Sequence, residues 1–412
     1  MKMRLAALLA SVAVISLVFA SGLQAKSPNV AKVDSLLRKM TLEEKVGQMT
    51  QLTLGVFTKN PATGELDLDK LRDAIVGHHI GSILNIAGQA FTLEQWHRII
   101  TQIQDIATKE TRLGIPILYG IDAVHGANYT LGATVFPQNL GMASTWNEKL
   151  MRKTGEITAF EVRASGIPWD FAPVLGLGRQ PLWSRLFETF GEDPYLASRM
   201  GAEYVKGLQG DPADLSSPVH VAACMKHYIG YSFPLTGKDR TPAWIPERML
   251  REYFLPPFAA AVGSGVATAM VNSSEINGIP VHSDSWLLGD LLRKELGFRG
   301  LVVSDWNDIN NLYKREHIAE TQGEAVKRGV KAGVDMSMVP FSYDFADILV
   351  DLVKEGEVPE ARIDESVRRI LQLKFDLGLF ENPYPDKKLA NRFACDDFQR
   401  TNLQAARESI IL

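Results

Sequence analysis

Residues 300–309 read GLVVSDWNDI. Gly300 to Val303 have the unbroken apolar character of a strand covered on both faces, which is how strands of parallel sheets read. The run stops abruptly at Ser304, Asp305 and Trp306, so a carboxylate stands where a core strand ends. The pattern recurs along the chain. Short apolar runs GSILN from Gly81, IPILYGID from Ile115, WDFAPV from Trp169, VAACMKHY from Val221, ATAMVNS from Ala267 and AGVDMSM from Ala332 alternate with longer segments of helical period. With a short first strand expected near Val46–Leu52, they make about eight βα units, the number that closes a parallel (β/α)8 TIM-like barrel of the α/β class. The alternative, an open doubly wound sheet, calls for a glycine-rich phosphate turn after an early strand, and no such motif stands in such a place.

Helix starts fit this register. Thr41 with Glu44 reads as a capping box, and Thr145 with Glu148 is expected to open EKLMRKTGEITAFEVRAS, which Gly166 ends.

The chain has 412 residues, 46% of them hydrophobic, and a formal net charge of −4, so it can bury a sizeable core. No basic stripe or run of like charge is present, which sets nucleic-acid binding aside. Residues 1–25 combine Lys2 and Arg4 with an apolar run ending in small residues, the make-up of a secretory signal cleaved after Ala25 or Ala20. A single membrane anchor is the other reading; the small residues and short charged region favour cleavage, and with it a periplasmic or secreted protein with no membrane attachment. Cys224 and Cys395 are too few and too far apart for a zinc site or a disulfide framework, and Cys224 inside VAACMK reads as a buried small hydrophobe. The barrel is expected over residues 33–380. Residues 381–404 read as a linker, and ARESIIL opens a further apolar run over 405–412, as if a second domain began there.

In a closed parallel barrel the interior is packed and function gathers where strands end and βα loops begin. Strand three ends with Asp122 and is followed by His125, strand five with Lys226 and His227, strand six with Asn272 and Ser273, and strand seven with Asp305 and Trp306. Any one of these has a bland explanation, such as a helix cap for an Asp or simple packing for Trp306. Four such ends together point to a shared polar pocket. Carboxylates and cations able to hold hydroxyls, beside an indole face on which a sugar ring stacks, suit a carbohydrate, and no serine or cysteine nucleophile or metal-binding pattern competes.

At these residues the chain resembles glycoside hydrolase family 3, the β-glucosidase and exo-glucanase family. The resemblance runs from about Val33 to the last residue through KMTLEEKVGQM, GIPILYGIDAVHG, FPQNLGMASTW, FAPVLGLGRQPLWSRLFETFGEDPY, CMKHYIGY, VVSDW and AARESIIL, in that order. It implies a retaining, exo-acting β-glucosidase in which Asp305 is the nucleophile and forms a covalent glycosyl-enzyme. It also implies that Asp122, Arg185, Lys226 and His227 bind sugar hydroxyls and that Trp306 lines the entry. No cofactor or metal is implied, and the partner is a β-linked oligosaccharide or glycoside. Arg185 has a second reading as an ion-pair partner of Glu188 or Glu192. The family's usual D-V-A-R-D-P-R-W-G-R reads GLGRQPLWSR here, with Gly176 in place of an Asp and Ser184 in place of a Gly.

A retaining glycosidase needs a second carboxyl, roughly 5 Å from the nucleophile. In two-domain members of the family this acid lies in the second domain. The N-acetylhexosaminidase branch uses a histidine in the loop after the Lys-His strand, but YIGYSFPLTGKDRTPAWIPER holds none. The chain by itself is therefore expected to be catalytically impaired. β-Xylosidase specificity, a non-catalytic sugar-binding domain, and a Schiff-base aldolase using Lys226 are the competing readings; the last leaves SDW and PLWSR unexplained.

Overall fold

The computed structural model describes residues 29–86, 88–211 and 213–411. The signal segment expected over residues 1–25 lies outside them. No helix among the described residues is long and apolar enough to cross a membrane.

Eight parallel strands form the centre: β1 (Thr50–Thr53), β2 (Ser82–Leu84), β3 (Leu118–Ile121), β4 (Trp169–Asp170), β5 (Ala222–Tyr228), β6 (Thr268–Val271), β7 (Leu301–Val303) and β8 (Ser337–Met338). Each pairs with its neighbour in chain order, and β8 returns to β1 through Thr50 opposite Ser337 and Gln51 opposite Met338. A parallel bridge between Val303 and Met336 closes the ring between β7 and β8. The (β/α)8 barrel expected from the sequence is the fold. The first strand is displaced from its expected place, because Val46 to Gln48 complete helix α1 (Leu42–Gln48), which the Thr41–Glu44 capping box opens.

The strands are buried along their whole length, as their apolar runs require. The helices around them are amphipathic. On α2 (Leu93–Lys109) the buried residues Trp96, Ile99, Ile100, Ile103 and Ile106 recur every three or four positions and form one stripe facing the barrel. Helices α3 (Glu148–Ala164) and α4 (Pro194–Gln209) meet backbone to backbone at two glycines. A Cβ at Gly155 would lie 2.8 Å from the Tyr204 carbonyl oxygen, and one at Gly207 only 2.3 Å from that of Arg152. Helix α3 is capped by Asn147, whose side chain accepts from the Leu150 N–H, and Thr145 instead accepts from the Asn147 N–H. The cap is therefore two residues later than expected, because Asn satisfies the same orphan donors as Thr.

Downstream, α5 (Leu255–Gly263) and a π-helical segment, Trp286–Glu295, follow β5 and β6, while α6 (Asp308–Lys314) and α7 (Gln322–Ala332) follow β7. Helix α8 (Glu360–Asp376) covers the last seam. The stretch read as a linker carries α9 (Asp396–Glu408), docked on α3 through the Phe160 and Phe398 rings and the Ala394 N–H bound to Glu161.

One buried charge cluster sits at the start of β8. Asp335, fully buried, accepts from the Val302 N–H at 3.0 Å and faces Arg293, Arg362 and Arg369 at 2.6, 3.2 and 2.8 Å. Burial alone would raise its pKa; the three guanidiniums outweigh this and hold the carboxyl below its usual range. A depressed folded pKa contributes stability above the unfolded pKa of about 4, and that contribution is lost as pH falls through the folded value. We expect Asp335→Asn to cost about 3–5 kcal/mol at neutral pH. Urea unfolding at pH 7 and pH 4 checks it, with the larger loss at pH 7.

Candidate active site

The polar residues at the C-terminal ends of the strands converge on one rim of the barrel. Asp122 follows β3, and its carboxylate takes the Lys226 ammonium at 2.5 Å on Oδ1 and the Asn85 amide at 2.8 Å on Oδ2. Asn85 also accepts from the Asp122 N–H at 3.1 Å, so one amide fixes both backbone and side chain. Lys226 is buried, whereas the Asp122 side chain is 31% exposed. Burial opposes ionisation of both groups, but their mutual attraction prevails: the Asp122 carboxyl is held below its usual range and the Lys226 ammonium above its own.

Arg185 lies in the loop between β4 and α4. Its guanidinium is gripped by both oxygens of Glu188 at 2.7 Å and sits over the Trp183 and Tyr231 rings. The second reading of Arg185, an ion pair with Glu188, is present in the structure. The same side chain nevertheless lines a cavity of ≈ 280 Å³ together with Asp122, Lys226, His125, Tyr129 and Gln138. A guanidinium clamped on one edge is a rigid donor on the other.

Asp305 does not itself line this cavity and is linked to it through His227, the neighbour of Lys226, and through the charge of Arg185. Its side chain is 9% exposed; Oδ1 accepts from the Trp306 N–H, and Oδ2 has no hydrogen-bond partner, with His227 Nε2 3.7 Å away. A helix-cap role for Asp305 is not what the structure shows: α6 is preceded by Asn307, in the left-handed region at φ 60°, and the Asp305 carboxylate receives only the adjacent N–H. Burial and the neighbouring Asp308 push the Asp305 pKa up, against the pull of Arg240. His227 is buried and lies beside Arg185, Lys226 and Arg240, so it stays neutral far below its usual pKa. Trp306 packs edge-on against the exposed Phe341 at 5.4 Å, leaving the indole only partly buried.

Two side chains near Asp305 come from loops and had no sequence signal. Arg240, in the loop after β5, places Nη2 3.6 Å from Asp305 Oδ1 and also meets Asp308 and Ser273. His282, pushed down to about 3 by burial, is neutral and accepts the Asp305 N–H on Nε2 at 3.2 Å. Asn85 is a different case. It ends the GSILN run, and the rule that selected Asp122 would also have selected it. Asn272, another strand end, turns its amide to the Ile229 carbonyl, while Ser273 bonds Arg240. Among the described residues no group of three or more His, Cys, Asp or Glu is placed to hold a metal ion.

Residues 41–373 match the model of the glycosyl hydrolase family 3 N-terminal domain. The chain belongs to this family. It is 49% identical over 370 residues to a lysosomal β-glucosidase of Dictyostelium discoideum, covering 87% of this chain and 45% of that protein. It is 36% identical over 389 residues to a periplasmic β-glucosidase of Salmonella typhimurium, covering 93% and 47%. Its fold superposes on the crystal structure of a Listeria innocua β-glucosidase in complex with glucose with a TM-score of 0.83 and 32% identity, covering 92% of this chain and 51% of that one. The chain spans about half the length of these relatives. Where the family pattern has an Asp, Gly176 stands against Ser232: a Cβ there would lie 2.8 Å from the serine Oγ, so the hydroxyl fills the vacated volume.

The Asp122–Lys226 pair yields a stability prediction. Lys226→Met leaves Asp122 without its cation, and its pKa rises. At pH 7 the loss is expected to be about 2 kcal/mol, less than for a fully dry pair because the carboxylate reaches solvent. The loss should shrink as pH falls and Asp122 takes up a proton, which thermal unfolding at pH 7 and pH 4 would reveal.

Proposed function

We propose that this chain is the sugar-binding and nucleophile-bearing barrel of a retaining, exo-acting β-glucosidase, with Asp305 as the nucleophile. The observation that carries the reading is the placement of Asp305 just past the end of β7, buried and with one oxygen free of hydrogen-bond donors, 3.7 Å from His227, whose neighbour Lys226 lines a cavity with Asp122 and Arg185. Asp122, Lys226, Arg185 and His227 hold the hydroxyls of the terminal sugar, and the Trp306 face flanks the entry. Ionised Asp305 attacks the anomeric carbon, the bond to the leaving oxygen breaks with its electron pair on that oxygen, and water later hydrolyses the glycosyl-aspartate with net retention. The names of the relatives support glucose as the sugar. The charged start and apolar run of residues 1–25 support export to the periplasm or beyond.

The leaving oxygen needs a proton. Asp308, the carboxyl whose charge bears most on Asp305, is tied to Arg240, Arg315 and Asn311 and is buried, so it is not available as an acid. We place the acid outside the described residues, and the chain alone is then impaired on substrates with poor leaving groups.

The test is mass spectrometry after incubating the chain with 2,4-dinitrophenyl 2-deoxy-2-fluoro-β-glucoside, whose leaving group departs as a stable anion. A fluoroglucosyl adduct on Asp305, absent in Asp305→Ala, is expected. The labelling rate should fall as pH drops through a pKa above the ordinary aspartate value of about 3.9, because only the ionised carboxylate attacks. Cellobiose turnover should lag behind that of a protein with its acid in place by roughly 100- to 10,000-fold. Glucose binding without an adduct would identify a non-catalytic sugar-binding domain, and labelling by the corresponding xyloside in preference to the glucoside would move the specificity to xylose.

A further inference from the structure

The loop after β5 carries no regular structure, yet it is tightly held. The Thr236 and Thr241 hydroxyls bond at 2.7 Å, the Leu235 N–H reaches the Pro242 carbonyl at 2.9 Å, and the Trp183 indole N–H donates to Asp239 at 2.8 Å. Trp183 is itself packed edge-on against Tyr231. At the tip of this assembly Arg240 adopts a left-handed backbone, φ 56°, which is costly for a long side chain and persists only where surrounding contacts impose it. The guanidinium is thereby aimed between two carboxylates. Nη2 stands 3.6 Å from Asp305 Oδ1, and Nη1 stands 3.4 Å from Asp308 Oδ1 and bonds the Ser273 hydroxyl.

Two buried carboxylates that sense each other do not both ionise unless a cation stands between them. Asp308 has a second cation, Arg315, at 3.4 Å. Asp305 has no comparable partner. The groups facing it are neutral His227 from β5, neutral His282 from the turn after β6, Tyr231, Arg185 at longer range, its neighbour Asp308, and Arg240. Arg240 is the cation that reaches a carboxylate oxygen of Asp305 within 4 Å among the described residues.

We infer that Arg240 is a positioning residue that holds Asp305 ionised beside Asp308 and fixes the orientation of its carboxylate. This rests on the reading of Asp305 as the nucleophile, but its electrostatic core is open to test without any turnover. Removing the cation leaves Asp305 facing burial and the Asp308 charge alone, and removing the Asp308 charge as well takes away the second of these.

The experiment is a pH titration of the side-chain carboxyl carbons in the full chain carrying 13Cγ-aspartate, with the Asp305 resonance assigned by its loss in Asp305→Asn. In Arg240→Met the Asp305 midpoint is expected to rise by about 1 unit or more, the usual size for a cation at this range. Arg240→Lys should restore part of the difference, and Asp308→Asn added to Arg240→Met should bring the midpoint back down. An unmoved midpoint in Arg240→Met, or a raised midpoint that Asp308→Asn leaves in place, overturns the inference. Near-UV circular dichroism checks the fold, and Arg240→Gln gives the same reading if the methionine variant does not fold. In parallel, the acid limb of labelling by the 2-fluoro-glucoside should follow the NMR midpoint. If the midpoints move as expected and no variant is ever labelled, the glycosidase reading fails while the role of Arg240 stands.

Discussion

The seam between β7 and β8 fixes where the site is built. These are two of the shorter strands, and a parallel barrel closes only if its last pair is held as firmly as the others. The hydrogen bonds that close it run past the strand ends into the SDWN segment. The Ser304 N–H donates to Met336, the Met338 N–H donates to the Ser304 hydroxyl, and the Asn307 N–H donates to the Met338 carbonyl. Asp305 therefore sits between two residues pinned to the neighbouring strand. Asn307 makes its bond from a left-handed conformation that asparagine tolerates better than most residues. At the opposite end of the seam, Asp335 binds the Val302 N–H and gathers three arginines, two of them from α8. The position of the candidate nucleophile is thus a product of barrel closure and needs no flexible loop.

Two carboxylates share the rim, and their surroundings drive them apart. The Asp122 carboxylate accepts from Lys226 and Asn85 and is held below its usual pKa range; Asp305 meets burial and Asp308 first and a cation only at 3.6 Å. Divergent environments for paired titratable groups mark divergent roles. A carboxylate that must accept hydroxyl hydrogens is best locked in its charged form, whereas one that must bond to carbon keeps part of its basicity by being less completely satisfied. His227, adjacent in sequence to Lys226, stays neutral because it is buried and because Arg185, Lys226 and Arg240 already occupy its surroundings.

Most of the architecture was legible because burial leaves its mark: strands such as β7 are apolar runs, and helices such as α2 repeat their buried face every three or four residues, whereas β1, TQLT, carries no such run. The errors are local. Val46 to Gln48 are apolar or neutral enough to pass for strand, yet a capping box at Thr41 commits them to helix. The residues after Gly378 lack a long apolar stripe because α9 buries little more than Phe398 and Ala405. In the site, the strand-end rule reached Asp122, Lys226, His227, Asp305 and Trp306, while Arg185 came from resemblance alone. Arg240 and His282 escaped because loop residues reach the site through the shape of the loop, which no periodicity encodes.

Carboxylates and cations interleave around the site. Asp122, Glu188, Asp239, Asp305, Asp308 and Glu316 stand beside Lys226, Arg185, Arg240 and Arg315, each in contact with at least one opposite partner. In a region of low effective dielectric such a set is tolerable only when complete, since loss of one member strands another without compensation. Within this set Asp305 Oδ2 stands apart as a carboxylate oxygen with no hydrogen-bond donor, whereas both oxygens of Asp122 and of Glu188 have one.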